Sequence, residues 1–379
     1  MNTPVYLDYN ATTPLDPEVV ERMCQLMREH GGNPSSSHGF GRSSREAVEE
    51  ARREAAALLG CDADEVVFTG GGTESNNLAI LGALSAAAGS GRDRIVCSAV
   101  EHPSVMETCR FAAETGCRHT VLPVDGTGLA DPDDLRRAMG DDVLLVSVMH
   151  ANNEVGTLQP VQALAAVARE YGALFHTDAA QSAGKADVTG TGADLVSLAG
   201  HKFYGPKGTG ILMVKRGTPL RRIVHGAGHE RGLRPGTENV AGIAGLGTAC
   251  RLAREGLPGN SRRMLESRDL LHSLVLETLG PDRVRLNGHP DRRLPNTLSL
   301  AFRGLKADLL IGELREELAV SAGAACHGDG MSISPVLEAM GVPVEWAAGT
   351  LRFSTGKGTT DEDAVRAARC VSEAVGRLT

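Results

Sequence analysis

Lys202 follows an apolar stretch and lies in a glycine-bounded turn, Ser197-Leu198-Ala199-Gly200-His201-Lys202-Phe203-Tyr204-Gly205. A lysine there is poorly solvated, and desolvation lowers an ammonium pKa until the free amine can form a Schiff base. By residue type alone it could equally be a solvated surface lysine. Asp178 closes a second apolar stretch, Leu174-Phe175-His176-Thr177-Asp178. A carboxylate in that position is costly unless paired. A pyridinium nitrogen is one fitting partner, and a helix N-terminus is another. Gly70-Gly71-Gly72 leads into Thr73. A helix starting there would point free N–H groups at an anion such as a phosphate, while a plain tight turn is the alternative. His102 could cover a flat ring and move protons near neutral pH, or be structural. Arg352 could grip a carboxylate through both guanidinium nitrogens, or be a surface strand residue. Cys326 lies in Ser321-Ala322-Gly323-Ala324-Ala325-Cys326-His327-Gly328, which has no large apolar side chain to anchor it. A thiol on such a loop reads as a nucleophile rather than a core filler. Cys250 and Cys370 sit in helical patterns and are expected to pack.

The elements that must position these residues alternate along the chain. Short apolar runs at Glu65–Thr69, Arg94–Ser98, Val143–Met149, Ala173–Thr177 and Asp194–Leu198 read as strands. Continuous apolar runs suit a parallel sheet covered on both faces. Helical patterns separate them. One is Ser43–Leu59, with a Ser43/Glu46 capping box and Gly60 as its stop, and another starts at Thr73. Ligands of open α/β sheets sit beyond the carboxyl ends of the strands. The residues following these five strands are all polar: Gly72-Thr73-Glu74, Glu101-His102, His150 to Glu154, Asp178 to Gln181, and Gly200-His201-Lys202. Together they predict one shared site.

The pattern changes after Cys250. A charged helix over Arg262–Leu279, a strand at Asn296–Phe302, a helix at Leu309–Leu318, a strand at Leu318–Ser321 and a terminal helix at Asp361–Leu378 capped by Thr360 read as a smaller α+β unit. The expected division is a large α/β domain over 12–255 and a small domain formed by 1–11 with 256–379.

Composition narrows the function classes. The 379 residues are 41% hydrophobic and 23% charged, with net charge −8, so neither nucleic acid nor an anionic membrane is expected as the main partner. No apolar run is long enough to predict a membrane span, and no signal-peptide pattern opens the chain. Eight scattered cysteines without a C-x-x-C pair predict free thiols in a reducing cytoplasm. His225 and His229 are flanked by glycines and lack an H-E-x-x-H context, so no metal site is expected. Aromatic residues are only 3% of the chain, which leaves a histidine as the natural cover for a flat cofactor.

These residues and motifs resemble the cysteine desulfurases, a branch of the class V aminotransferases among the fold-type I pyridoxal phosphate enzymes. The resemblance spans nearly the whole chain. It runs from Tyr6-Leu7-Asp8-Tyr9-Asn10-Ala11-Thr12-Thr13-Pro14 through Gly32-Asn33-Pro34-Ser35-Ser36, Thr73-Glu74-Ser75-Asn76-Asn77, His176-Thr177-Asp178-Ala179-Ala180-Gln181-Ser182, Gly200-His201-Lys202 and Arg234-Pro235-Gly236-Thr237 to Leu351-Arg352-Phe353-Ser354.

The resemblance implies that Lys202 carries pyridoxal 5'-phosphate, Asp178 pairs with its ring nitrogen, and Gln181 faces the ring hydroxyl. It also implies that His102 stacks on the ring, Asn153 contacts it, and Gly72, Thr73 and His201 hold the phosphate. Thr237 would reach the phosphate of a neighbouring subunit, making a homodimer. Arg352 would bind the carboxylate of L-cysteine with Asn153 close by, and Cys326 would attack the substrate sulfur. The products would be L-alanine and a persulfide on Cys326, handed to an acceptor or scaffold protein for iron–sulfur or thio-cofactor supply. The spacing from Cys326 to Val336 equals that of the desulfurases with a long loop.

The sequence departs from the family at two places. Ala199 stands where many relatives have a phosphate-binding serine. Ala325-Cys326-His327 replaces the commoner serine- and threonine-flanked cysteine and also resembles selenocysteine lyases, which makes selenide release from selenocysteine the alternative activity. Pro103 after the stacking histidine is the desulfurase pattern.

Overall fold

The computed structural model describes residues 3–29, 31–323 and 333–379. The strands of the larger sheet are β2 (Val66–Thr69), β3 (Arg94–Ser98), β4 (Arg118–Leu122), β5 (Val143–Ser147), β6 (Leu174–Asp178), β7 (Leu195–Ala199) and β8 (Gly210–Val214), preceded in the chain by β1 (Val5–Tyr6). They pair in the order β2-β8-β7-β6-β5-β3-β4. β8 is antiparallel to both neighbours, β2 and β7, and the other pairs are parallel, so the remaining strands direct their carboxyl ends to one edge. Every residue of β5 and β7 is buried. That is the environment their uninterrupted apolar sequences require, with helices against both faces.

The remaining strands are β9 (Val284–Asn287), β10 (Thr297–Phe302), β11 (Leu318–Ala319), β12 (Ser321–Ala322) and β13 (Thr350–Ser354). β12, β13, β10 and β9 form an antiparallel sheet in that order. Its core packs Leu298, Leu300, Phe302, Leu351 and Phe353 against the terminal helix, Asp361–Leu378. Thr360 caps that helix through a capping box with Asp363, satisfying two otherwise orphaned N–H groups. The N-terminal segment joins this side of the molecule. β1 pairs with β11, and Leu7 is buried in the same core. The chain then runs on to Asn10 beside the larger sheet.

The structure corrects three element assignments. The helix expected from Ser43 begins at Gly39, and its cap is His38, whose Nδ1 accepts from the Gly41 N–H at 3.3 Å. Gly41 reads as a breaker, yet a Cβ there would lie 2.3 Å from the Ser36 carbonyl oxygen, so glycine is what the close approach needs. The helix expected over Arg262–Leu279 is the second half of a 40-residue helix, Val240–Leu279. Its first half packs Ile243, Leu246, Ala249 and Cys250 into the larger core, and its second half packs Leu271 and Val275 into the smaller one. Pro258 and the polar stretch between the halves obscured that continuity in the sequence. Finally, Leu318–Ser321 is not one strand. β11 and β12 pair with different partners, β1 and β13, and the helix before them is Ala307–Leu314.

Candidate active site

Asn10, Gly72, Thr73, His102, Asn153, Asp178, Gln181, His201, Lys202 and Arg352 line one cavity of about 400 Å³ at the carboxyl edge of the larger sheet. Of the segments read as strand ends, those after β2, β3, β5, β6 and β7 each contribute residues to this cavity, and Asn10 and Arg352 join them from elsewhere. Thr237 is exposed and is not among the residues lining this cavity. Cys326 lies outside the described residues.

Lys202 is delivered by the turn after β7. Gly200 has no room for a side chain, since a Cβ would lie 2.6 Å from Thr209 Oγ1 and 2.9 Å from a methyl of Leu246. Tyr204 takes a positive φ of 67°, an unfavourable conformation for a non-glycine residue, held by its N–H donating to Thr13 Oγ1 at 2.7 Å. The Lys202 ammonium donates to the Asn10 and Ala11 carbonyls at 2.7 and 2.9 Å. Burial, reinforced by the Arg352 charge, lowers its pKa to about 8, against the opposing pull of Asp178 and Asp8. A useful fraction of neutral amine is therefore present near neutral pH.

Asp178 ends β6 buried, and its partners only donate to it. Oδ1 accepts from the Ala180 N–H at 2.9 Å and Oδ2 from Asn76 Nδ2 at 2.7 Å. The local turn bond is the helix-cap-like alternative, and here it coexists with the cavity-facing role. Asn76 Nδ2 also donates to Ser104 Oγ at 2.8 Å. Ser104 lies 2.8 Å from His102 Nδ1, which also accepts from the Ser104 N–H at 3.1 Å. Nδ1 is thus an acceptor, which assigns the imidazole proton to Nε2. Desolvation by the cavity walls lowers the His102 pKa, Asp178 opposes this, and Lys202 adds to it. The ring is held neutral and open to the cavity.

The opposite end of the cavity is built for an anion. The helix Gly72–Ala86 begins after Gly71, which has φ 151° and offers no capping side chain. The first N–H groups at Gly72 and Thr73 are therefore free of a side-chain cap. A Cβ on Gly72 would sit 3.1 Å from the Ala199 Cβ, so the approach of this helix to β7 favours glycine. Glu74 accepts from the Gly70 N–H at 2.8 Å and is paired with Arg234 at 2.8 Å, which ties the loop down. His201 lies across from it, 3.1 Å from Thr12 Oγ1. Burial and the nearby Lys202 and Lys207 lower the His201 pKa to about 4, leaving a neutral donor or acceptor.

Arg352, on β13, departs from the simplest expectation. Its guanidinium is not a free fork. Nη2 pairs with Asp8 at 2.9 Å and Ser321 Oγ at 3.0 Å, and Nη1 donates to the Asn153 carbonyl at 3.0 Å. Its buried Nε has no partner among the described residues. A carboxylate entering from the cavity would engage that guanidinium while Asp8 and Ser321 hold its orientation.

Ser321 and Ser334 lie on either side of the undescribed stretch that carries Cys326. Ser321 also donates to Asp8 at 2.8 Å, and Ser334 donates to Glu154, next to Asn153. Both described flanks are hydrogen-bonded at the cavity rim.

The sequence reading missed several supports. Asn10 is 1% exposed and joins three segments. Its carbonyl accepts from Lys202 and from Gln181 Nε2, and its side chain donates to the Asn153 carbonyl at 3.1 Å. Lys185 is buried, donates to Gln181 Oε1 at 3.0 Å, and has its pKa driven well down by burial and by the Lys202 charge. Glu101 is also buried, with its pKa raised to about 8 by desolvation despite bonds from Ser98 and the Met149 N–H. Asn76 and Ser104 complete the chain to His102. Their partners come from distant segments, so spacing gave no signal. The one local clue was that Glu101 directly precedes the histidine.

This set fits pyridoxal phosphate. A lowered-pKa amine, a buried carboxylate, a neutral histidine face and an uncapped helix N-terminus surround one cavity, and each has a complementary group on that cofactor.

The aminotransferase class-V family profile matches residues 5–366. The cysteine desulfurase IscS of Dictyoglomus turgidum is 45% identical over 366 residues, which cover 96% of this chain and 92% of that protein. A solved NifS-like protein superposes with a TM-score of 0.92 at 34% identity, covering 99% of this chain and 100% of that one. The solved structure of SspA in complex with cysteine matches with a TM-score of 0.80 at 33% identity, covering 94% of this chain and 99% of that one.

Proposed function

The chain belongs to the aminotransferase class-V family, among its cysteine desulfurases, and from that premise we propose that it moves the sulfur of L-cysteine onto Cys326. Its fold is that of the fold-type I pyridoxal phosphate enzymes. The observation that carries the proposal is the single cavity joining Lys202, Asp178, His102 and Arg352.

Family membership implies pyridoxal phosphate, which when bound supplies a ring able to accept the electron pair released at the substrate α-carbon. Lys202 would anchor it, and Asp178 would keep its ring nitrogen protonated. Gln181, oriented by Lys185, would face its ring hydroxyl. Gly72, Thr73 and His201 would hold its phosphate, and Asn153 would contact both the ring and the substrate. Arg352 fixes the substrate carboxylate. Lys202 Nζ, with its pKa lowered to about 8, would be the base for the substrate α-proton. The His102 imidazole would cover the ring, with its Nε2 the atom that could move a proton. Cys326 Sγ then bonds to the substrate sulfur as the carbon–sulfur bond breaks. L-cysteine and the Cys326 thiol give L-alanine and the Cys326 persulfide, with atoms balanced. SspA, solved with cysteine, supports this substrate.

Thr237, exposed and outside its own cavity lining, is proposed to reach the phosphate of a second copy in a homodimer. An open groove of about 800 Å³ at the Gly72 end, lined by Thr73, His201 and Lys207, leaves room for that contribution. The persulfide is then passed to a sulfur-acceptor or scaffold protein for iron–sulfur cluster assembly. Among the described residues no helix is long and apolar enough to cross a membrane, and a reducing cytoplasm is the compartment proposed for an enzyme of free thiols.

Cys326→Ser should keep the visible absorbance of the lysine-bound cofactor and lose sulfur capture. Undiminished sulfide release from that variant would remove Cys326 from its role. Turnover of L-cysteine and L-selenocysteine at equal concentration separates the two family activities. Activity confined to selenocysteine would replace the desulfurase reading with the lyase one.

A further inference from the structure

Cys97, Cys109 and His119 come from three elements and meet outside the cavity. Their donor atoms all lie within 4.8 Å of one another. Cys97 is on β3 and His119 on the neighbouring β4, where the register pairs Ile95 with His119 and Cys97 with Val121. The helix Pro103–Glu114 contributes Cys109. Cys97 Sγ is 3.1 Å from His119 Nε2.

We propose that these three side chains bind one thiophilic divalent cation of the zinc class. Two thiols and an imidazole form a soft to borderline donor set, and no carboxylate belongs to it, which disfavours magnesium and calcium. A tetrahedral zinc site has metal–donor distances of about 2.0–2.3 Å, so donors must approach to roughly 3.5–3.8 Å of each other. The three atoms are within about an ångström of that spacing. Charge balance also fits. Two thiolates and a neutral imidazole cancel a divalent cation, so the occupied cluster places no net charge in the core.

Both thiols are fully buried. When the cation takes the place of the two thiol hydrogens it binds two sulfurs and one nitrogen, and the two protons leave to solvent. Access is from the sheet edge, because β4 is an edge strand and His119 is half-buried. Three protein ligands leave a fourth position for water. A Cys97–Cys109 disulfide is the competing use of the two sulfurs, but it would leave the His119 nitrogen facing Cys97 without a purpose. The site also bears on the cavity. Cys109 lies on the helix that His102 caps, so a bound cation would pin that helix to β3 and β4.

The test uses the full-length, cofactor-loaded Cys326→Ser protein, which removes the reaction thiol from competition. Cd²⁺ is titrated while thiolate-to-cadmium ultraviolet absorption is followed, and Zn²⁺ is measured by competition with a chromophoric chelator. The expected result is one equivalent of either ion. His119→Ala, at a half-buried edge position, should weaken binding at least tenfold with cofactor colour retained, and Cys109→Ser should abolish the thiolate signal. The proposal is overturned by absence of stoichiometric uptake, by a titration unchanged in His119→Ala, or by a Cys97–Cys109 disulfide that forms in air and blocks uptake.

Discussion

At the scale of single residues, the environment of Lys202 sets a pH requirement. Its pKa of about 8 leaves the ammonium form dominant below that pH and the free amine above it. Cofactor-free protein should therefore capture pyridoxal phosphate faster as pH rises through about 8, with the rate levelling beyond it. A rate independent of pH between 6 and 9, on the order of one proton's titration range either side, would contradict the assignment of Lys202 as the capturing amine. Glu101 gives a stability effect of opposite chemistry. Its folded pKa, raised to about 8, exceeds the unfolded carboxyl value, so the native state binds the extra proton. Its contribution is complete below the unfolded pKa of about 4.3 and is lost as pH rises through about 8. Glu101→Gln should flatten the stability–pH profile in that window by up to about 1.4 kcal/mol per pH unit, measured by denaturant unfolding. Lys202, Asp178 and Arg352 stood out because each follows, ends or occupies an apolar run where its type is out of place, and His102 because the chain offers few aromatic rings. Asn10, Asn76 and Lys185 were not. Their roles are bonds to residues far away in sequence, and an asparagine or lysine in a mixed segment carries no mark of burial.

At the scale of elements, the sheet acts by bringing strand ends to one edge, and the helix after β2 must approach β7 closely. Gly72→Ala adds a Cβ 3.1 Å from that of Ala199 at the uncapped helix start. The neighbour must give way or the loop must shift. The expected outcome is roughly tenfold weaker cofactor retention, or about 1.4 kcal/mol, with unfolding otherwise little changed. Equilibrium dialysis against pyridoxal phosphate measures it, and unaltered affinity would dissociate this loop from the phosphate. The strands and the terminal helix were readable from apolar runs and a standard cap. The first turn of the helix Gly39–Leu59 was hidden by two glycines and a histidine cap. The long helix was hidden by Pro258, because local propensity marks a break where packing on two cores maintains a helix.

At the scale of the whole molecule, the cavity lies between the larger sheet and the side of the molecule that carries Arg352. The proposed division at 255/256 falls inside the helix Val240–Leu279, so the two cores share a continuous element rather than a loop linker. That makes the position of Arg352 relative to Lys202 a property of one connected framework. The proposed dimer has its own test. Hybrids of Lys202→Ala and Thr237→Ala chains contain one site with an intact lysine and an intact Thr237 from the other copy. They should regain tight cofactor binding at that site, whereas a Thr237 acting within its own chain would leave them defective.

The sulfur-transfer claim is tested most directly by peptide mass spectrometry of the cofactor-loaded protein after brief exposure to L-cysteine, with alanine counted in parallel. The account predicts one added sulfur on the peptide containing Cys326 for each alanine formed, and neither product in Lys202→Ala. Alanine formed without sulfur on Cys326, or sulfur carried instead by another cysteine, would contradict it.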